Sequence, residues 1–304
     1  MGIYQLLRKF IMYQQPVYTG FRSVFIVCSV KLFFILASFQ VERKTDARQI
    51  IDNMYLSIDK IKSLKFTMRK IERVNDQYLK GEQQVRFSKN PKSIYTKVIS
   101  PNEGVEVLYV EGKNKNAALI NPNTFPYINL SLDPYGSIMR NNNHHTVHEV
   151  GFDYISDIIS HIDEKSGSDF NNYFTYVGDT LFDGKPCYKI KIDYKPFAYT
   201  DYEIQAGENI TSIAYKLHIS DYMILQLNKN LSGYQDGKPG MVIRVPNAYS
   251  KQTFLYIDKK TFLPLLQIMY DDKGLYEQYA FYNLQLNPVF GPDEFNRKNE
   301  EYDF

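Results

Sequence analysis

From Leu64 onward the chain runs in short stretches that alternate apolar with polar residues, and this period of two restricts its fold more than any other feature. Leu64, Phe66 and Met68 alternate with Lys65, Thr67 and Arg69, as a strand with one buried face requires. EQQVRFS, SIYTKVIS, VEVLYVEG and NAALINP continue the series, separated by NPK, PNEG and GKNKN, whose Gly, Pro and Asn suit tight turns. Past residue 250, QTFLYIDKKTFLPLLQIMYDDKGLYEQYAFYNLQLN reads strand, turn, strand, turn, strand. The 26 Tyr and 20 Phe fit pleated, half-buried surfaces. An antiparallel meander is the expected core.

Two helical patterns accompany it. Ala47, Ile50, Ile51, Met54, Ile58 and Ile61 recur at spacings of three and four and draw one apolar stripe. Phe152, Ile155, Ile158, Ile159 and Ile162 draw a second, with Gly167 placed to end it. Between the early strands and that second helix, LDPYGSIMRNNNHHTVH has no apolar period and reads as a loop. YFTYVGDTLFDGKPCYKIKIDY resumes the strands, with a hairpin turn at FDGKP.

Residues Ser23 to Gln40 follow Arg8, Lys9 and Arg22, giving the basic flank and apolar body of an export signal. Lys31 opposes a permanent span, since a charge near a membrane helix centre costs roughly 2.5–3.5 kcal/mol. Residues 1–40 are therefore expected to be a signal peptide or N-terminal hydrophobic segment, and the chain an exported protein of the periplasm or cell envelope. Phe25-Ile26-Val27 before Cys28 lacks the small residue of a lipid-attachment site. Without the signal, Cys187 stands alone and no internal disulfide can form. A net charge of +2 provides no field for phosphates, so no nucleic-acid partner is expected.

The strand pattern breaks once, at YEIQAGENITSIAYKLHISDYMILQLNKNLSGYQDGKPGMVIRVP, where a short strand, two helices and a second strand follow one another. Asn209 and Ser220 are suited to cap the two helices. This βααβ stretch resembles a LysM domain: Ile204, Gly207-Glu208-Asn209, Ile213-Ala214, Leu225 to Asn228, Pro239-Gly240 and Val245-Pro246 stand in the family's order. The resemblance implies an N-acetylglucosamine groove between Gly207, Glu208, Asn209 and Ile210 on one side and Asn230, Leu231 and Ser232 on the other, with peptidoglycan glycan strands as partner. The bland alternative is that Asn209 only caps its helix.

The flanking parts, 41–199 and 250–304 around an insert at 200–249, resemble an uncharacterised family related to the LolA and LolB lipoprotein carriers. The stretches that carry this are IKSLKFTMRKIERV, GVEVLYVEGKN, SLDPYGSIM and YIDKKTFLPLLQIMYDDKGLYEQYAFYNLQLN. The resemblance implies an α+β fold, a curved antiparallel half-barrel packed by helices, and an apolar cavity for acyl chains of a lipid or lipoprotein. Phe66, Met68, Leu108, Val110, Leu265, Ile268, Tyr279 and Phe281 are the strand residues expected to line it. The same residues would serve equally as ordinary core beneath the first helix.

No catalytic group, metal or cofactor is expected. His144 and His148 in HHTVH are four apart, but a zincin pattern needs a glutamate where His145 stands and a helix beneath it. His161 and His218 are expected in solvent, Cys187 has no neighbouring base, and Asp271-Asp272 sits in a hairpin turn. The leading expectation is a wall-bound envelope protein with a lipid-handling body; the alternative is an acyl-chain carrier whose insert is a spacer or protein contact.

Overall fold

The computed structural model describes residues 46–304; the expected signal segment lies outside them. Helix α1 (Ala47–Asp59) starts where the Asp46 side chain accepts from the Arg48 N–H, and its stripe from Ala47 to Ile58 is buried as its spacing predicts. The strands β1 (Ser63–Val74), β2 (Gln77–Ser88), β3 (Ser93–Ser100), β4 (Glu106–Val110), β5 (Ala118–Asn121) and β6 (Leu130–Leu132) then pair in sequence, each antiparallel to the last.

From the edge strand β6 the chain crosses through a long loop, α2 (Asp153–Ser166) and α3 (Phe170–Tyr173) to the opposite edge. There β7 (Phe174–Phe182), β8 (Lys185–Asp193), β11 (Gln252–Asp258), β12 (Pro264–Asp271) and β13 (Gly274–Leu286) build back to the middle, where β13 pairs with β1. The result is one 11-stranded antiparallel sheet, curved and not closed, since β6 and β7 stay at its two edges. Register shifts within β1–β13 and β12–β13 insert extra residues that bend the strands.

Helices α1 and α2 cover one face of this sheet. Their contact is held by a bidentate pair, Arg48 donating to Asp163 at 2.6 and 2.7 Å, and their isoleucines pack on Phe66, Leu255, Leu265 and Phe281. On the other face the chain's last residues lie across β3 and β4, with Tyr302 stacked on Tyr95 at 3.7 Å.

This two-sidedness corrects the expected cavity. Phe66, Met68, Leu265, Tyr279 and Phe281 do lie on the helix-covered face. Leu108 and Val110 belong to the opposite cluster with Tyr95 and Tyr302, while their neighbour Tyr109 faces the helices. Ile268 is out of step with its buried neighbours Gln267 and Met269 and so projects away from the helices. A period of two gives every strand two apolar candidates, and the sequence does not say which set is inward.

Between β8 and β11, which pair directly, stands the βααβ unit: β9 (Tyr199–Glu203), α4 (Ile210–Leu217), α5 (Asp221–Leu227) and β10 (Val242–Pro246). β9 and β10 form their own two-stranded antiparallel sheet. Ile204, Ile210, Ile213, Ala214, Ile219, Ile224, Ile243 and Val245 form a separate small core. Its stem is closed by Tyr194 N–H donating to Lys251 O at 2.9 Å. Asn209 accepts from Ser212 N–H and Ser220 from Met223 N–H, so both helices start at their expected caps.

Candidate functional site

The stretch before α2, expected to be a loop, is threaded between the insert and the sheet. Arg140 is its anchor: the side chain is wholly buried, donates to both Asp221 oxygens at 2.9 and 2.7 Å and to His144 O at 2.6 Å, and lies 3.8 Å from the Tyr234 ring centroid. Asp221 and Tyr234 belong to the insert, so one guanidinium ties it to the body. His144 is sandwiched at 4.4 Å between Tyr222 of the insert and Tyr276 of the sheet. Both its ring nitrogens face acceptors, Glu277 at 2.8 Å and Arg73 O at 3.1 Å.

His145 continues the network. Its Nδ1 lies 2.8 Å from Glu149 and its Nε2 3.3 Å from Glu277 Oε2, and Tyr249 donates to Glu277 at 2.7 Å. Burial alone would push the imidazole down, but the Glu277 and Glu149 carboxylates override it and hold the ring up to about 10. Burial acts on Glu277 in the opposite sense, raising it, yet His145 and His144 bring it well below the usual carboxylate range. The third histidine of HHTVH, His148, packs instead between Tyr109 and Tyr135. Among the described residues no group of three or more His, Cys, Asp or Glu is placed to hold a metal.

A pocket of about 60 Å³ opens beside this network. Its roof is Tyr154, Ile155 and Ile158 of α2, its floor Met68, Met269, Tyr279 and Phe281 of the sheet, and one wall His145, Glu149 and Glu277. Three of the expected cavity residues, Met68, Tyr279 and Phe281, meet here. Phe66 and Leu265 are packed core, 2% and 1% exposed.

The expected glycan residues are brought to one end of the insert, but most are engaged within it. Ile210 is fully buried in the small core, because the first turn of α4 points it inward, and so cannot face a sugar. The Glu208 carboxylate accepts from Tyr202, Gln205 N–H and Lys216, which together draw it down to about 2. Asn209 is spent on its cap and on Gln235 at 2.8 Å, and Ser232 on Asp236 at 2.6 Å. Ile210 and Thr211 N–H donate to Asp236 O and Tyr234 O, so the loop after α5 folds over the α4 terminus. Gly207 and Asn230 stay exposed, and Leu231 packs half-buried against the core.

His161 and His218, expected in solvent, stack on each other at 4.2 Å, and His218 Nδ1 lies 2.7 Å from Asp157. Burial, Lys165 and His218 push His161 down to about 4. Cys187 is buried, its thiol pushed up to about 11 by burial and Asp258.

Residues 61–204 match a family model described as a protein of unknown function, DUF1571. Among curated proteins none matches this sequence. Solved structures with some likeness include MucB, at 13% identity and TM-score 0.42, covering 82% of this chain; the match spans only 62% of MucB itself. LppX of Mycobacterium tuberculosis aligns over 80% of this chain and 97% of its own at 12% identity and TM-score 0.38. A LolA superfamily protein from Nitrosomonas europaea aligns over 81% and 96% at 9% identity and TM-score 0.30. Such distant likeness says nothing of ligand or activity.

Sequence reasoning missed Arg140, Glu149, Asp221 and Glu277. A signal for Glu277 exists: it shares the inward register of Tyr279 and Phe281 on β13, and a carboxylate at an apolar strand position demands a partner. For Arg140 and Asp221, which lie outside any strand alternation, no local pattern marks the pairing.

Proposed function

We propose that this chain is a non-enzymatic binding protein of the cell envelope that takes an acyl chain, from a lipid or lipoprotein, between α2 and the helix-covered face of the sheet. The observation that carries this reading is the pocket at that seam, where Met68 and Met269 meet Ile155, Ile158 and Phe281. Methionine is unbranched and re-packs readily, which suits a surface that must yield to a flexible chain. At about 60 Å³ the pocket is far below the roughly 300–1,000 Å³ of typical ligand sites. Loading therefore requires α2 to lift, and Gly151, at φ 111° just before it, supplies a backbone able to turn. The Glu149 and Glu277 carboxylates and the His145 imidazole on the pocket wall already satisfy one another, which favours binding over catalysis.

Native mass spectrometry of protein purified from envelopes tests this directly. The expected result is a retained mass of one or more acyl lipids, lost when Ile155→Trp fills the seam. Wild-type protein that carries no lipid, and takes up none from fatty-acid-loaded vesicles, would refute it.

A second reading, glycan binding by the insert, is favoured by its βααβ order and by the exposed Gly207 and Asn230. Retention on purified peptidoglycan, reduced by Asn230→Ala, is its expected outcome; passage of the wild type straight through the column would end it.

A further inference from the structure

We propose that the βααβ unit is a latch that holds the roof of the pocket closed. Helix α2 has two working faces. Ile155, Ile158, Ile159 and Ile162 face the sheet, while Tyr154, Asp157, His161 and Lys165, at spacings of three and four, form a second row turned to the insert and its stem. Each member of that row is engaged. Tyr154 meets the Tyr215 ring of α4 at 6.2 Å, Asp157 accepts from His218, and His161 stacks on His218. Lys165 donates to Asn247 O at 3.0 Å, just beyond β10.

The turn ahead of the helix is held as well, since Tyr215 donates to Glu149 at 2.7 Å and Glu149 itself lines the pocket. Lifting α2 enough to admit an acyl chain must break this row. The row's own contacts are half-exposed or exposed and individually weak, which is what a reversible latch requires. Its purpose rests on the acyl-chain reading; its contacts do not.

The test uses the full chain and the variant Tyr215→Phe with His218→Asn. Asn is chosen because His218 sits at φ 53°, which asparagine adopts readily, so the stack is removed without straining the helix end. Arg244→Ala, which breaks only contacts within the insert, to Asp201 and to Tyr199 O, is the control. Amide exchange across residues 153–166 is expected to quicken about three- to tenfold in the double variant, with uptake of a dansyl-labelled fatty acid quickening in step, and neither to change in the control. Unchanged α2 exchange in a double variant that melts like wild type would overturn the latch. Quickened exchange with no probe uptake by either protein would keep the latch and discard the acyl-chain reading.

Discussion

The body and the insert are held together by opposite means. The body is an 11-stranded sheet with α1 and α2 packed on one face by Ile, Met and Phe side chains. The insert owns only the small core around Ile213 and Ile224; α5 adds Met223 and Leu227 to the main core, and the rest of the seam is charged and aromatic polar groups: Arg140 on Asp221, His144 between Tyr222 and Tyr276, Ser220 against the Tyr276 hydroxyl at 2.6 Å. A unit of about 50 residues buries too little to be robust alone, so docking supplies part of its stability. The buried Arg140–Asp221 pair favours one orientation of the insert: buried ion pairs add little net stability but penalise every arrangement that separates them.

The strongest attack on this contrast is Arg140→Ala. It leaves Asp221 buried without its cation and is expected to cost about 3–5 kcal/mol in urea denaturation, whereas Arg140→Met combined with Asp221→Leu should recover much of that loss. A cost below about 1 kcal/mol would show that the guanidinium is not a strut. Raising the pH weakens the adjoining network of His145, Glu149 and Glu277. His145 in the folded protein holds its proton up to about 10, against about 6.5 in an unfolded chain. Its contribution is thus fully present below pH 6.5 and fades as the pH rises through 10, a loss that His145→Gln should abolish from the alkaline limb of the stability profile.

Core truncations separate the two parts. Met54→Ala, at a site with no exposure, is expected to lower global stability by about 2–5 kcal/mol. Ile213→Ala, equally buried, should act within the insert, raising amide exchange across residues 199–246 while the sheet stays protected. Equal exchange gains in both parts would mean the seam makes them one cooperative unit.

How much of this was readable follows from where the information lies. Periodicity marks α1, α2 and the strands because each must turn one face to a core, and the caps at Asn209 and Ser220 are local chemistry. Which face of β4 or β12 looks inward depends on pairing across the sheet, so Leu108 and Ile268 lie away from the helices while Met68 and Phe281 lie beneath them. The seam is less readable still. Arg140 and Asp221 are 81 residues apart, and His144 reads as part of a polar loop until Tyr222 and Tyr276 close on it. Asn209→Ala, by contrast, is a purely local loss, expected to cost about 1 kcal/mol and to be felt only in the insert.

The smallest expected effect lies at the outer contact between the two parts. Lys165, His218 and burial all disfavour a charge on His161, while Asp157 favours one, and the ring is left titrating near 4. The unfolded chain takes up that proton near pH 6.5, so between these values it binds more protons than the native state and stability must rise with pH. The contribution is whole above pH 6.5 and drains away toward pH 4. Solvent screening at this half-exposed site reduces it to about a few tenths of a kcal/mol. His161→Asn should flatten that acid limb by the same amount, seen as the difference between urea midpoints of variant and wild type at pH 7 and pH 4.5. An acid limb of equal slope in both proteins would mean the stacked rings part before they titrate, and the polar row on α2 would then be looser than the isoleucine row behind it.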